Sequence, residues 1–413
     1  MSVIISPHAL KGRVTIPPSK SMSHRMILCA ALAKGKSRIR NVAMSDDIKA
    51  TLQAVQTMGR TVEIEGDIVT ISGDINYSGE MIDCNESGST LRFIIPLVSV
   101  LGGGTLTGAK RLGERPLNVY QSVFEAQGLM LAQGFPLKIP MGFSGGKIAV
   151  SGSVSSQFIS GLMLAAPLLN KRTLITLTTP LESSAYVDMT IQAMAKFDVK
   201  VNVIKENQVF EIEPYTGYVS TDVTVEGDWS QAGFWLTAGL SSQEGITIDG
   251  LNLESKQGDR VIIDLMQRMG AEISSSGLTH RVKASFLKSI DVDISQCPDL
   301  APVVAALMSL TDDKCRLTGC ARLRIKESDR VQSIAEALKA LGGQAEIVNE
   351  DIHIFGKPIG GNIKVYNDHR IAMMAAALSA HCEKPIMIDD ETVVNKSYPA
   401  FWNDFKSLGG VYE

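Results

Sequence analysis

The chain has 413 residues, 45% of them hydrophobic and 20% charged. That length exceeds the roughly 250–300 residues at which a single core stops growing, and the composition is ordinary for a globular protein, so two domains with ample cores are expected. Forty basic against forty-four acidic side chains leave a net charge of -4, which argues against broad electrostatic binding to nucleic acid or to an anionic membrane. No segment reaches about 18 consecutive apolar residues, and the start, MSVIISPHALKGR, has no charged stretch followed by a long apolar run, so the cytosol is the expected compartment.

In chain order one pattern returns six times: a short strand, a polar cluster, then an apolar run rich in Ala, Leu and Met. Its copies read RVTIPPSKSMSHRMILCAAL, IDCNESGSTLRFIIPLVS, KIAVSGSVSSQFISGLMLAAPLL, VTVEGDWSQAGFWLTAGL, VDISQCPDLAPVVAALMSL and IKVYNDHRIAMMAAALSA. With Lys20, Gly88, Gln157, Ser230, Asp299 and His369 as markers, the steps are 68, 69, 73, 69 and 70 residues. Chance does not keep such a period.

A second element runs in phase with the first, an amphipathic helix opening near Asp46, Arg115, Tyr186, Asp259, Asp329 and Pro399. In DDIKATLQAVQTMG and DRVQSIAEALKALGG the apolar residues fall at helical spacing and Gly closes the run. The first helix of each copy is apolar nearly all round and is expected to be buried, whereas the second keeps one wet face. Each copy is then about 70 residues of strand, buried helix, strand, amphipathic helix and further strands. Six copies in two domains place three in each, with the boundary between Tyr218 and Glu226. Three buried helices packed together must point their N-termini the same way, and such ends, with unpaired N–H groups and a positive dipole, suit anions. Two domains facing each other would enclose an anion-binding cleft.

The cysteines, at 29, 84, 297, 315, 320 and 382, form no CxxC pair and mostly sit in apolar runs, and the six histidines are scattered. Buried free thiols are expected, and neither a metal site nor a disulfide framework. SGGK at 144–147 lacks the full phosphate-loop pattern and GGG at 102–104 lacks GxGxxG spacing, so no nucleotide site follows.

The polar clusters at the buried-helix starts resemble, one after another, the signatures of the enolpyruvyl transferases. They are PSKSMSHR (18–25), GERP (113–116), GSVSSQF (152–158), RIKESDR (324–330), YNDHRIAM (366–373) and NKSYP (395–399). The resemblance implies a two-domain inside-out α/β barrel of six βαβαββ repeats, three per domain, with the active site in the interdomain cleft. It assigns residues 1–13 with 226–413 to the C-terminal domain and 14–225 to the N-terminal domain, with hinges near 12–18 and 218–228. It also implies the activity, transfer of the enolpyruvyl group of phosphoenolpyruvate to the 5-hydroxyl of shikimate 3-phosphate, by addition and then elimination of phosphate, in aromatic amino-acid biosynthesis. No cofactor is implied, the partners are the two small substrates, and a monomer is expected.

By the same resemblance Lys20, Gly88, Arg115, Gln157, Arg330, Arg370 and Lys396 bind phosphoenolpyruvate. Its carboxylate and phosphate call for fixed cations, bidentate Arg above all. Lys20, Ser21, Arg25, Ser155, Ser156, Gln157, Ser183, Asp299 and Lys326 match positions that hold shikimate 3-phosphate. Ser155 and Ser156 also read as helix caps, a geometry that phosphate binding shares. Asp299 matches the base toward the hydroxyl and Glu327 the proton donor to C3, with Lys20 taking part; their plainer readings are a helix cap and an exposed first-turn acid. Tyr186 is either a wall of the site or a core Tyr, Asp228 a cap or hinge residue, and His369 an orienter of Arg370 or a packed histidine.

Two places depart from the family's pattern: Glu86 stands where Asn is usual, and Arg322-Leu323 where Asn-Trp is usual. The sister enzyme acting on UDP-N-acetylglucosamine generally carries a reactive Cys five residues before the Arg matching Arg115, and position 110 here is Lys. A non-catalytic phosphometabolite-binding protein of the same fold is the other reading, and it would not need acids beside the cations.

Overall fold

The computed structural model describes residues 2–214 and 217–413. They form two compact units: Pro18–Val225, here the N-terminal unit, and Glu226–Glu413 with the segment ending at Pro17, here the C-terminal unit. The N-terminal unit holds α1 (Lys20–Leu32), α2 (Asp46–Thr57), α3 (Gly88–Val100), α4 (Lys110–Glu114), α5 (Asn118–Glu125), α6 (Ser156–Ala165) and α7 (Ser184–Lys196). The C-terminal unit holds α8 (Trp229–Gly239), α9 (Ile262–Arg268), α10 (Ala301–Ser309), α11 (Arg330–Ala340), α12 (His369–Ser379) and α13 (Phe401–Ser407).

The apolar runs become α1, α3, α6, α8, α10 and α12, whose bodies are buried. Five of them are opened by a side-chain cap at the equivalent point of the repeat: Ser19, Ser87, Ser155, Asp228 and Asp368 each accept from a backbone N–H two or three residues on. Each such cap contributes about 1 kcal/mol and fixes where the helix starts. Close approach of α6 to α3 depends on Gly161, where an added Cβ would lie 2.6 Å from the Arg92 carbonyl oxygen. In the C-terminal unit Trp235 of α8 stacks on Phe401 of α13 at 4.8 Å.

Three sheets of three or four strands cover the buried helices in each unit, with a further two-stranded parallel pair, Ala33–Lys34 and Tyr218–Val219, in the N-terminal unit, giving the inside-out α/β arrangement with helices within and sheets without. The N-terminal unit has the orders Asp222–Thr224, Ser37–Arg40, Ile68–Ser72, Thr61–Glu65; Met81–Asp83, Gly104–Thr107, Leu137–Ile139; and Gly146–Val150, Thr173–Leu177, Val209–Ile212, Val201–Lys205. The C-terminal unit has Gly12–Thr15, Ile246–Asp249, Thr279–Val282, Ile273–Ser276; Val292–Asp293, Cys315–Thr318, Asp351–Phe355, Gln344–Val348; and Gly361–Ile363, Ile386–Ile388, Val3–Ser6, Val411–Tyr412. The first pair of each sheet is parallel and the others antiparallel. Alternation decides which face is wet: Ile39 is buried between exposed Arg38 and Arg40.

One expectation needs correction. The strand in RVTI belongs not to the sheet of the first copy but to that of the fourth, with Gly12 to Thr15 paired parallel to Ile246 to Asp249. Asp222–Thr224 instead completes the first copy's sheet beside Arg38 to Arg40. The helix expected near Arg115 is α5, which opens at Asn118; Arg115 itself is extended between α4 and α5, because the ring of Pro116 crowds the residue before it out of the helical region. Among the described residues no helix is long and apolar enough to cross a membrane. The cysteines are free thiols, all buried but Cys382.

Candidate active site

In the N-terminal unit Lys20 and Ser21 form the first turn of α1, and Lys20 Nζ lies 2.6 Å from Asp47 Oδ2 of α2. Arg25, just over a turn further on, is 2% exposed. Its guanidinium donates to Thr190 Oγ1 at 2.8 Å and to the carbonyls of Ser21 at 2.7 Å and Tyr186 at 3.0 Å. The rings of Phe93 and Tyr186 lie 5.0 and 5.9 Å from its Cζ. Every one of these partners is neutral. Burial draws the guanidinium down to about 10, still far above physiological pH, so a full positive charge is kept here among neutral hydrogen-bond partners. Such a charge favours an anion strongly, because a buried unmatched ion is costly.

Gly88 is the first residue of α3, and the guanidinium of Arg115 lies directly over it: a Cβ at Gly88 would meet Arg115 Nη1 at 2.6 Å and Arg92 Nη1 at 3.0 Å. Arg92, one turn along α3, donates to Gln157 Oε1 at 2.9 Å, and Gln157 Nε2 donates to Ser89 Oγ at 3.0 Å. Arg92 thereby fixes which end of the Gln157 amide is the donor. Ser155 caps α6 through the Gln157 N–H at 3.3 Å and Ser156 begins the helix. Ser183 sits before α7 in the left-handed region, φ 57° and ψ 52°, makes no side-chain cap bond, and is buried. A serine there is strained, and that kind of strain clusters at binding sites.

In the C-terminal unit the matched acids and cations form one cluster. Asp299, in a 3-10 turn ahead of α10, takes Lys326 Nζ at 3.2 Å and Arg330 Nη1 at 3.0 Å on Oδ1, and Arg370 Nη2 at 3.2 Å on Oδ2. Glu327 Oε2 takes Arg330 Nη2 at 2.7 Å. Arg330, the first residue of α11, is buried and also reaches Asp368 Oδ2 through Nε at 2.8 Å. Burial alone would push the Asp299 carboxyl up, but Arg370, Lys326 and Arg330 together hold it well below the usual carboxylate range. Burial lowers Lys326, with Asp299 opposing, and Arg330 is held above its ordinary value by Asp368, Glu327 and Asp299 against burial. Lys396 donates to the Asn367 carbonyl at 2.6 Å. Asp228 caps α8, and His369 is buried as the first residue of α12, beside Arg370.

A sequence profile of the EPSP synthase family, 3-phosphoshikimate 1-carboxyvinyltransferase, matches residues 4–405. The chain belongs to that family. It is 43% identical over 423 residues to the 3-phosphoshikimate 1-carboxyvinyltransferase of Clostridium kluyveri, covering 99% of this chain and 97% of the relative. To that of Clostridium perfringens strain 13 it is 41% identical, over 99% and 98%. The crystal structure of EPSP synthase from Acinetobacter baumannii superposes with a TM-score of 0.84 at 25% identity, covering 100% and 99%. The enolpyruvyl transferase NikO of Streptomyces tendae has the same fold, with a TM-score of 0.79 at 15% identity over 100% and 98%.

Of the residues matched to the family's signatures, those of the N-terminal unit lie in or just before the opening turns of α1, α3, α6 and α7, except Arg115 between α4 and α5, and those of the C-terminal unit at or just ahead of the starts of α10, α11 and α12, except Lys396 at the end of the 3-10 turn Thr392–Lys396. Motif reading passed over two residues. Asp368 lies inside YNDHR yet received no role, although it both caps α12 and pairs with Arg330. Arg92 interrupts the apolar run of α3, and its spacing of one helical turn from Gly88 is the signal that could have found it. Of the two departures, Glu86 is half-buried ahead of Ser87 and Arg322 donates to the Ser295 carbonyl.

Proposed function

We infer that the chain is a 3-phosphoshikimate 1-carboxyvinyltransferase, moving the enolpyruvyl group of phosphoenolpyruvate to the 5-hydroxyl of shikimate 3-phosphate and releasing phosphate. The observation that carries the reading is the ionised Asp299 carboxylate gripped by Lys326, Arg330 and Arg370. These cations stand ready for anionic substrates, and as they turn to those anions their hold on Asp299 slackens and its proton affinity rises toward that of a usable base.

Asp299 then takes the 5-hydroxyl proton as that oxygen bonds to C2 of phosphoenolpyruvate, while Glu327 gives a proton to C3. The tetrahedral adduct collapses when Glu327 takes a proton back from the new methyl group. The C2–O bond to phosphate breaks, and the proton held by Asp299 leaves on the phosphate. Glu327 acquires its proton once Arg330 is engaged by the donor. Lys20, Gly88, Arg115, Gln157, Arg330, Arg370 and Lys396 are assigned to phosphoenolpyruvate. Lys20, Ser21, Arg25, Ser155, Ser156, Gln157, Ser183, Asp299 and Lys326 are assigned to shikimate 3-phosphate, with the buried charge of Arg25 among neutral hydrogen-bond partners as the strongest support for an anion there. Tyr186 contributes its carbonyl to Arg25 and so positions it.

Only proton transfer and charge stabilisation are needed, so no cofactor is invoked, and a monomeric cytosolic enzyme is the form proposed. Lys110 stands where the sister enzyme carries its reactive Cys, which favours shikimate 3-phosphate over UDP-N-acetylglucosamine as acceptor. Phosphate release measured with phosphoenolpyruvate and each acceptor in turn tests this reading. Release is expected with shikimate 3-phosphate alone, and release only with the UDP-sugar, or with neither, overturns it.

A further inference from the structure

Asp259 lies in the 3-10 turn Gly258–Val261 ahead of α9 and is 3% exposed. Its Oδ2 accepts from Ser230 Oγ, whereas its Oδ1 has no hydrogen-bond partner among the described residues. One hydroxyl donor in a buried site supports a carboxylate poorly, so the neutral acid is favoured. The contrast with Asp299, which takes three cations, is stark in chemical terms. Ser230 joins the two acids at the start of α8, its O–H going to Asp259 and its N–H to Asp228. Gln231, the next residue and 1% exposed, has no hydrogen-bond partner for either atom of its amide among the described residues, so the polar capacity of this turn exceeds what they use.

The charged and titratable groups facing Asp259 are Asp299 ahead of α10, Arg370 on α12, Asp228 before α8, and the Cys297 thiol. Burial first, then the charge of Asp299, push the Asp259 carboxyl up to about 7, with Arg370 and the Ser230 hydroxyl pulling the other way. The neighbouring ion pairs join Lys326, Arg330 and Arg370 to Asp299, Glu327 and Asp368. A charge on Asp259 would add a further negative charge beside that cluster, where an anionic donor has to be received.

We propose that Asp259 is a further positioning residue for the reaction inferred above: while protonated and bonded to Ser230 it adds no negative charge beside Asp299 and Arg370, and its ionisation weakens capture of phosphoenolpyruvate. The proposal rests on that reading of the function. It predicts that the carboxyl loses its proton as pH rises through neutrality and that kcat/KM for phosphoenolpyruvate falls with it, through KM more than kcat.

The test is kcat/KM for phosphoenolpyruvate, at saturating shikimate 3-phosphate, for wild type and Asp259→Asn from about pH 6 to about pH 9. The always-neutral amide controls for ionisation of the substrates. The wild-type-to-variant ratio is expected to fall several-fold to roughly tenfold, with its midpoint near neutrality. Ser230→Ala removes the hydroxyl that favours the ionised form, so its midpoint should move to higher pH. A ratio independent of pH overturns the proposal. A carbon-13 carboxyl titration of ligand-free wild type stands apart from activity and from the folding of any variant. A signal titrating near neutrality supports the proposal, and one already ionised at about pH 5 overturns it. Should wild type release no phosphate, the functional reading falls while that titration still decides the state of Asp259.

Discussion

Replacing Gly88 with Ala is the perturbation whose outcome can be worked out most fully. The new Cβ would lie 2.6 Å from Arg115 Nη1, 3.2 Å from Arg115 Cζ and 3.0 Å from Arg92 Nη1. Ordinary contact begins near about 3.5 Å, so Arg115 has to retreat by about 1 Å and Arg92 by about half as much. A misplacement of about 1 Å in a group that positions substrate can cost on the order of 10²-fold in rate, or about 2.7 kcal/mol. Gly88 has an ordinary negative φ at a helix start, where Ala is favoured over Gly by roughly 0.5–1 kcal/mol, so stability should hold or rise slightly. Steady-state phosphate release, varied in each substrate separately, should show kcat/KM for phosphoenolpyruvate reduced roughly 10- to 100-fold. The constants for shikimate 3-phosphate should stay within about threefold. On an Arg115→Ala background most of the Gly88→Ala effect should vanish, since the two changes act through one contact. Equal losses for both substrates, or additive effects in the double variant, would refute the reasoning.

Asp299→Asn and Glu327→Gln should each lower kcat by roughly 10²–10⁴-fold while leaving substrate affinity much less affected, as calorimetric titration beside turnover would reveal. Losses confined to KM would remove both from the chemistry. Arg25→Lys, which gives up the planar fork that reaches Thr190 and the two carbonyls, should weaken shikimate 3-phosphate binding by about tenfold or more with little change in the KM for phosphoenolpyruvate. Because the folded-state value of Asp299 is depressed, its stabilising contribution is fully present above the ordinary carboxyl value near about 3.9 and is lost as pH falls through the lower folded value. Thermal unfolding of wild type should therefore drop more steeply between about pH 4 and about pH 2 than that of Asp299→Asn, and parallel curves would contradict the cation clamp.

Much of this architecture is legible in the chain because its signals are local. Each buried helix announces itself by a Ser or Asp cap followed by an unbroken apolar run, as in Ser87 before Gly88–Val100 or Asp368 before His369–Ser379. The sheet a strand joins is not local: the strands in RVTI and VTV read alike, yet Gly12–Thr15 pairs with residues more than 230 positions away. Pro116 marks in the sequence why the helix of that copy starts after Arg115 rather than at it. At the candidate site, the motifs give the residue types but not their partners. That Asp299 takes three cations while Asp259 takes one hydroxyl depends on how separate helices converge, and Asp259 in sequence looks like the acidic first turn of an amphipathic helix.

The account rests on addition followed by elimination, in which C3 of the donor becomes a methyl group for a moment. Running the reaction in deuterium oxide and examining the product by proton and phosphorus nuclear magnetic resonance tests it most directly. Inorganic phosphate should appear in step with a vinyl ether on shikimate 3-phosphate whose methylene carries deuterium. Product formed without deuterium at that carbon, or phosphate released without a vinyl ether, would contradict the account.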